Sequence, residues 1–276
     1  MAVADITTQT LDEYIDHVSS DRKLSPSTLN KHLVVVRKVL NEARRRGYLK
    51  ALPLFPSVKR KDNPRPYFKD SDYRRLWRAA SDLSKEGLKV RYVPLTEVIW
   101  DFIVFHVNVF VRVSDLKTLK HRHVQVVKEH GTQYLLLSVT KSKTVNRDSA
   151  TMPFAVDVYE RLLKRHEERG FGKADDFVFF PEYQNREYAL QTIRRQFEFI
   201  LEHAGLKEDS RGRARTLYSL RHTALMFRLL KGDNVDIFLL ARNALTSVDQ
   251  LERFYLSHVE SRTKIENLQS MRVTST

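Results

Sequence analysis

The stretch Arg215–Thr223 reads Arg-Thr-Leu-Tyr-Ser-Leu-Arg-His-Thr and places Arg221 beside leucines. A guanidinium in apolar surroundings is costly unless it meets an anion. A phosphate is the best candidate, because an isolated tyrosine, Tyr255, follows 34 residues later within Leu251–His258. Arginine binds a phosphate through two parallel N–H bonds, and a nearby tyrosine hydroxyl can attack the phosphorus atom. The pattern therefore predicts a phosphate-binding site with a tyrosine nucleophile.

Two further short segments contribute cations. Arg112 lies in Phe110–Leu116, which reads Phe-Val-Arg-Val-Ser-Asp-Leu, and Lys141 lies in Val139–Lys143, which reads Val-Thr-Lys-Ser-Lys. Together with the arginine and tyrosine segments above, this ordered set resembles the tyrosine recombinase (phage integrase) family. Each segment alone is a weak signal, whereas the set in this order is a strong one.

The resemblance implies a complete set of site residues. The implied catalytic residues are Arg112, Lys141, Tyr218, Arg221, Thr246 and Tyr255, with Asp115, Lys143 and His222 as possible auxiliary residues. The two arginines would bind the scissile phosphate, and Tyr255 would form a 3′-phosphotyrosyl link. Lys141, at a hairpin tip, would protonate the 5′-oxygen leaving group, and Asp115 would orient the guanidinium before it.

Four positions depart from the family pattern. Phe110 and Leu245 stand where the family usually has glycine, Tyr218 where it most often has histidine, and Thr246 where it has histidine or tryptophan. A tyrosine hydroxyl can donate to a phosphoryl oxygen, but its ordinary pKa near 10 makes it a poor base at neutral pH. Proton removal from the nucleophile would then depend on His222 or on the phosphate geometry.

Several candidate residues also have a purely structural interpretation. Arg112 could form an ion pair with Asp115 at a helix start. Lys141, or its alternative Lys143, could be a solvated side chain at a hairpin tip. His222 could be a core histidine, and Tyr255 a core aromatic residue.

Composition excludes several other classes of site. The 276 residues include no cysteine, which removes disulfides, zinc ribbons and thiol catalysis. We expect no metal and no cofactor, since His121–His123 lacks accompanying ligands and is interpreted as surface, and no phosphate-binding Gly-rich loop occurs. No long apolar run and no signal peptide is found, so the expected location is the cytoplasm, without a membrane partner.

Charge points to double-stranded DNA as the partner. The net charge is +14, and residues 21–66 carry thirteen Lys or Arg against three acidic residues, a net +10. The candidate DNA-binding residues in this segment are Lys31, Lys38, Arg44, Arg45, Lys59, Arg60 and Lys61. A solvated basic surface is the alternative, and the arginine triplet at 44–46 would equally suit the C-terminus of a helix.

The same segment contains the predicted domain boundary. Ser25 and Pro26 predict a helix start, and Gly47 predicts its end. Four prolines then bracket a basic run, which indicates a linker. We expect an N-terminal helical core-binding domain at residues 1–63, short or truncated, and a catalytic domain at residues 64–276, which the resemblance implies would close together on duplex DNA.

The remainder predicts a mainly α fold with a small antiparallel β-sheet. Few glycines and prolines favour helices, and a very apolar helix is expected near residues 95–110. A helix capped by Ser71 or Asp72 should precede it. Two β-type runs around Glu129–Gly131 predict a hairpin, with a third strand near residues 148–153.

The leading hypothesis is a site-specific recombinase of a phage or mobile element, acting as a homotetramer on paired DNA sites, without a small-molecule substrate. Two alternatives remain open: a type IB topoisomerase-like nicking-closing enzyme, and a catalytically silent DNA-binding protein, which the altered Tyr218 and Thr246 positions motivate.

Overall fold

The computed structural model describes residues 2–22, 24–59, 66–142, 145–232 and 235–254, apart from the side chains of residues 140–146 and 254. The chain divides into two compact units, Met1–Asn63 and Pro64–Thr276. The described part is mainly α-helical, with one two-stranded and one three-stranded antiparallel sheet. The predicted fold class is confirmed.

The first unit contains a short 3-10 turn at Val3–Asp5 and two α-helices, α1 (Thr8–Arg22) and α2 (Pro26–Arg45). Leucines, isoleucines and valines spaced three or four positions apart along each helix are buried, including Ile15 of α1 and Leu33 of α2. Ile15 and Val18 of α1 share one apolar cluster with Leu29 and Leu33 of α2, which holds the pair of helices together.

Both ends of α2 are fixed as the sequence predicts. The side chain of Ser25 accepts a hydrogen bond from the main-chain N–H three residues on. At the other end Gly47 has a φ of 80°. The N–H groups of Gly47 and Tyr48 donate to the carbonyls of Arg44 and Ala43 at 3.0 and 2.9 Å. This pairing satisfies two helix-end carbonyls and needs the left-handed backbone that glycine adopts freely.

The second unit contains the remaining elements. In chain order they are α3 (Asp70–Leu83), β1 (Lys89–Val90), β2 (Val93–Pro94), α4 (Glu97–Asn108), α5 (Val113–Lys117), β3 (Val124–Glu129), β4 (Thr132–Ser142), β5 (Val145–Ala150), α6 (Phe154–Glu168), α7 (Arg186–His203), α8 (Leu217–Lys231), α9 (Ile237–Asn243) and α10 (Val248–Phe254). α4 is buried on nearly all sides, and α3, α6, α7 and α8 pack against it. The core is therefore centred on α4.

The three-stranded sheet is a meander in the order β3-β4-β5. His130 and Gly131 connect β3 to β4 with φ values of 48° and 73°, the positive pair that a tight hairpin turn requires. β4 pairs with β5, but Thr140 faces Asn146 and Ser142 faces Val145, so the register shifts by one residue. Lys141 is thus the extra residue of a β-bulge beside the β4–β5 turn.

Two local expectations were wrong. The cap of α3 is Lys69, not Ser71 or Asp72, because the helix begins two or three residues earlier and has its aspartates within the first turn. There the carboxylate of Asp72 pairs with a buried arginine that precedes α8. The segment His121–His123 is not simply surface. The ring of His121 is only 7 % exposed and lies against α6, where its Nδ1 is 2.9 Å from the hydroxyl of Tyr159.

Candidate active site

Arg112 lies at the start of α5, directly after the buried segment Val109–Val111. Its main-chain N–H donates to a carboxylate oxygen of Asp115 at 2.9 Å. Its guanidinium Nη2 donates to the carbonyl oxygen of Leu245 at 3.0 Å. Asp115 therefore fixes Arg112 through the main chain and not through the guanidinium, which corrects the role that the resemblance implied.

Arg221 lies in the second turn of α8 and is only 2 % exposed. Its Nη1 donates to the carbonyl of Phe110, and its Nη2 donates to the carbonyl of Ala244 at 2.7 Å. Because Phe110 precedes Arg112 by two residues, Arg221 also holds the segment that carries the other arginine. Carbonyl oxygens offset part of the desolvation cost of a guanidinium without neutralising its charge.

The two arginines converge on the end of α9. Ala244 is the C-cap of this helix, and Leu245 follows with a φ of 53°. A residue with a β-carbon is strained in that left-handed conformation by about 1–2 kcal/mol. The side chain of Leu245 is 2 % exposed and belongs to the main core, so its burial offsets the strain. The position where the resembled family has glycine thus keeps a glycine-like backbone.

Asn243, the last residue of α9, connects the same turn to the sheet. Its side-chain oxygen accepts from the main-chain N–H of Ala150 at 2.7 Å, and its side-chain nitrogen donates to the Ala150 carbonyl at 2.8 Å. No sequence pattern indicates this contact, because the two residues are far apart in the chain and an asparagine near a helix end usually signals a local cap.

Tyr218 and His222 share one face of α8 with Arg221. The phenol of Tyr218 is half-buried, whereas the imidazole of His222 is 5 % exposed, and their ring centroids are 4.9 Å apart in an edge-to-face arrangement. The low exposure of His222 is compatible with both sequence interpretations, a core histidine and a proton acceptor held beside the site.

A cleft of about 460 Å³ opens beside Arg112 and Tyr218. Arg194 of α7 and Glu198, one turn further on, also line it. Arg194 is exposed and makes no hydrogen bond or ion pair with the residues that the structure describes. Sequence reasoning missed it, since one more arginine on an amphipathic helix is no signal by itself.

Thr246 is half-buried, and its N–H donates to the carbonyl of Ala241 at 2.9 Å. Ser247 then starts α10, its hydroxyl accepting from an N–H three residues on at 3.3 Å. α10 runs to Phe254, the residue before Tyr255. The side chain of Lys141 and all of Lys143 and Tyr255 lie outside the described residues, so these three remain predictions.

His106 of α4 is fully buried near Arg221. Burial, followed by the positive charge of Arg221, lowers the pKa of His106 to about 3. The ring is therefore neutral at pH 7 and adds no second positive charge beside the guanidinium. Among the residues that the structure describes, no three His, Cys, Asp or Glu side chains lie close enough together to hold a metal ion.

Candidate DNA-binding residues of the first unit differ in their surroundings. Lys31, Lys38, Arg44 and Lys59 are exposed. Arg45 instead binds the carboxylate of Glu42 through Nε and Nη2 at 2.8 and 2.7 Å, so part of its charge is already balanced. Arg60 and Lys61 lie outside the described residues.

The helical first unit, the α4-centred core and the three-stranded sheet together define the tyrosine recombinase fold, and the predicted resemblance is confirmed at the level of fold. Residues 1–59 match the family model of the phage integrase SAM-like domain. Within the described residues, none of the helices has the length and apolar character needed to cross a lipid bilayer.

Three solved structures illustrate the likeness. The Tn1549 transposon integrase in complex with circular intermediate DNA has a TM-score of 0.65 and 14 % identity over 98 % of this chain and 87 % of that one. The XerH site-specific recombinase in a post-cleavage complex has a TM-score of 0.64 and 15 % identity over 97 % and 72 %. A lambda integrase dimer bound to a COC′ core site has a TM-score of 0.62 and 15 % identity over 96 % of this chain and 83 % of that one. No curated protein sequence matches the chain.

Proposed function

We propose that this chain is a tyrosine-type site-specific DNA recombinase that cuts and rejoins duplex DNA through Tyr255. The observation that carries the proposal is the convergence of Arg112 and Arg221 on the last turn of α9. Two guanidinium groups held by main-chain carbonyls form a pre-organised positive site for a phosphate. Solved structures of the same fold, which hold DNA, support a nucleic-acid substrate.

The proposed reaction is a transesterification. Arg112 and Arg221 bind the non-bridging oxygens of the scissile phosphate and stabilise its pentacovalent transition state. The hydroxyl oxygen of Tyr255 bonds to phosphorus while the bond to the 5′-oxygen breaks, and Lys141 gives that oxygen a proton. The phosphotyrosyl link keeps the phosphodiester energy, so a new 5′-hydroxyl reverses the step without a nucleotide cofactor or metal.

Other residues of the site take supporting roles in this proposal. Tyr218 and Thr246 donate hydroxyl hydrogen bonds to phosphoryl oxygens where the resembled family has imidazole or indole groups. His222 or solvent receives the proton of the nucleophile. Arg194, exposed in the adjoining cleft, binds a neighbouring phosphate of the DNA backbone.

The first unit serves as the core-binding domain in this proposal. Lys31, Lys38 and Arg44 are the exposed cations of α2 assigned to backbone phosphates. Recombination between two sites needs several subunits, and the proposed assembly is a homotetramer on paired sites.

The altered Tyr218 and Thr246 positions favour one alternative, a catalytically silent DNA-binding protein, and a nicking-closing enzyme acting on single duplexes is the other. A pool of nicked, end-labelled duplexes of random sequence separates the silent protein from both enzymes. The nick lets the cleaved fragment diffuse away and traps a covalent intermediate. We expect a labelled band that survives denaturation, and sequencing of the trapped DNA gives the target site.

Tyr255→Phe is the matched control, since it removes only the hydroxyl. The variant should bind the selected duplex as tightly as the wild type and form no adduct. A persistent adduct in Tyr255→Phe would refute the nucleophile, and binding without any wild-type adduct would establish the silent alternative. Exchange between two copies of the selected site, as opposed to relaxation of one supercoiled plasmid, distinguishes the recombinase from the nicking-closing enzyme.

A further inference from the structure

Three consecutive residues at the end of α9 each hold a different part of the second unit. The carbonyl of Leu245 accepts from Arg112, the carbonyl of Ala244 accepts from Arg221, and the side chain of Asn243 binds β5 at Ala150. The arginine pair and the sheet are therefore fixed to one turn of main chain.

The contact at Ala150 supplies the hydrogen bonds that a neighbouring strand would otherwise make. β5 is the edge of the sheet, and Ala150 is opposite Leu136 on β4. A strand residue directs its N–H and C=O to the same side, and those of Ala150 point to the free edge, where the amide of Asn243 bonds both. Only a side chain with a donor and an acceptor at this reach completes both bonds.

This contact lies at the base of the hairpin that carries Lys141. Lys141 is five residues beyond Leu136 along β4, a distance of roughly 16 Å at about 3.3 Å per residue. A tilt of about 10° at the base would move the tip of a strand of that length by about 3 Å. Displacements of about 1 Å at a reacting group can cost about 10²-fold in rate.

We propose that Asn243 is a positioning residue that sets the β4–β5 hairpin relative to the arginine pair, and so places Lys141 to protonate the leaving 5′-oxygen. The inference rests on the proposed function. Asn243 does not touch the DNA in this scheme; it acts through the main chain of Ala150.

The proton donated by Lys141 gives a specific test of position. A 5′-oxygen leaves as a poorly stabilised alkoxide unless it is protonated, whereas a 5′-sulfur leaves as a thiolate, because the pKa of a thiol is about 8.5. In a 5′-bridging phosphorothiolate the tyrosine oxygen bonds to phosphorus and the phosphorus–sulfur bond breaks without a proton. A defect confined to proton donation therefore disappears on that substrate.

The experiment measures single-turnover cleavage of the trapped target duplex with oxygen or sulfur at the scissile 5′ position. Asn243→Ala should slow cleavage of the oxygen substrate about 100-fold while cleaving the sulfur substrate within about threefold of the wild type, as Lys141→Ala should. Asp148→Ala is the control, because it removes a hydrogen bond of the same sheet, to Ser138 at 2.8 Å, that does not reach α9. It should cleave both substrates like the wild type.

Equal losses of Asn243→Ala on both substrates, or no loss on the oxygen substrate, would overturn the positioning role while leaving the recombinase assignment intact. A wild type that cleaves neither substrate would instead refute the proposed function. Hydrogen exchange at Ala150 should be faster in Asn243→Ala, with core amides of α4 unchanged. If those core amides also open, Asn243→Asp, which keeps the acceptor and loses the donor, replaces it and should show a smaller loss on the oxygen substrate alone.

Discussion

Arg112 and Arg221, which are 109 positions apart in the chain, donate to the carbonyl oxygens of two adjacent residues, Leu245 and Ala244, at 3.0 and 2.7 Å. Arg221 is nearly fully buried, whereas Arg112 is half-buried at the edge of the cleft. The two arginines therefore differ in burial, and this difference leads to the first prediction.

Substitution of either arginine should abolish cleavage, but only one should strongly unfold the protein. Arg221→Ala removes two buried hydrogen bonds to main-chain carbonyls and should cost about 3 kcal/mol, whereas Arg112→Ala removes one part-buried bond and should cost about 1 kcal/mol. Each should slow cleavage by at least about 10²-fold. Urea unfolding followed by tryptophan fluorescence reports on the second unit, because Trp77 and Trp100, the two tryptophans of the chain, both lie there. Equal destabilisation by the two variants would contradict the structure.

The left-handed backbone of Leu245 should reverse a familiar order of stability. Loss of the buried side chain should make both Leu245→Ala and Leu245→Gly less stable than the wild type, by about 2–5 kcal/mol. The glycine variant should nevertheless be more stable than the alanine variant by about 1 kcal/mol, because only alanine keeps the strained β-carbon. Melting temperatures of the two variants decide this. A more stable alanine variant would show that the φ of 53° is not maintained.

Arg194 should contribute one phosphate contact in the cleft. Arg194→Ala should weaken binding to the selected duplex and reduce the slope of log affinity against log salt concentration by about 1. Arg195→Ala is the matched control, since the adjacent side chain is not part of the cleft lining. Fluorescence anisotropy at several salt concentrations measures both. An unchanged slope in Arg194→Ala, or an equal change in the control, would remove the contact from the proposal.

Two buried histidines should make the second unit sensitive to acid. Burial, followed by the charge of Arg221, lowers the pKa of His106 to about 3, and burial, followed by the charge of His121, lowers the pKa of His166 to about 4. The unfolded chain binds these protons near pH 6.5, so the unfolding free energy should fall as pH drops below that value. Each histidine contributes a slope of up to about 1.4 kcal/mol per pH unit until its folded pKa is reached.

Urea unfolding at pH 7, 6 and 5 tests this dependence. His106→Leu removes one titrating ring and should flatten the curve, even though its stability at pH 7 differs from that of the wild type. A parallel curve for the variant would mean that folding does not lower the pKa of His106.

Several features that depend on neighbouring residues were predicted correctly from the sequence. The start of α2 at Ser25, its end at Gly47 and the hairpin before β4 depend on interactions within a few residues, and these were correct. The position of His121 was wrong because its partners belong to α6, and neither pattern nor spacing encodes packing between distant elements.

The site residues show the same difference between local and long-range features. The arginines were found through short motifs that specify residue types, but the motifs do not specify what holds each guanidinium. That Arg221 bonds Phe110 and Ala244, and that Asn243 reaches Ala150, follows from tertiary packing between residues that are 111, 23 and 93 positions apart. The residues without described side chains, Lys141 and Tyr255, remain predictions of the motif alone.

The anchoring of both arginines by main-chain oxygens bears on how freely this turn can mutate. A peptide carbonyl is present whichever amino acid occupies the position, so the acceptors for Arg112 and Arg221 survive any side-chain replacement that preserves the backbone path. Mutation can therefore replace the glycine usual in the resembled family by the leucine at position 245 without removing the acceptors of either guanidinium. Asn243 has no such latitude, because its bonds to Ala150 reside in the side chain itself.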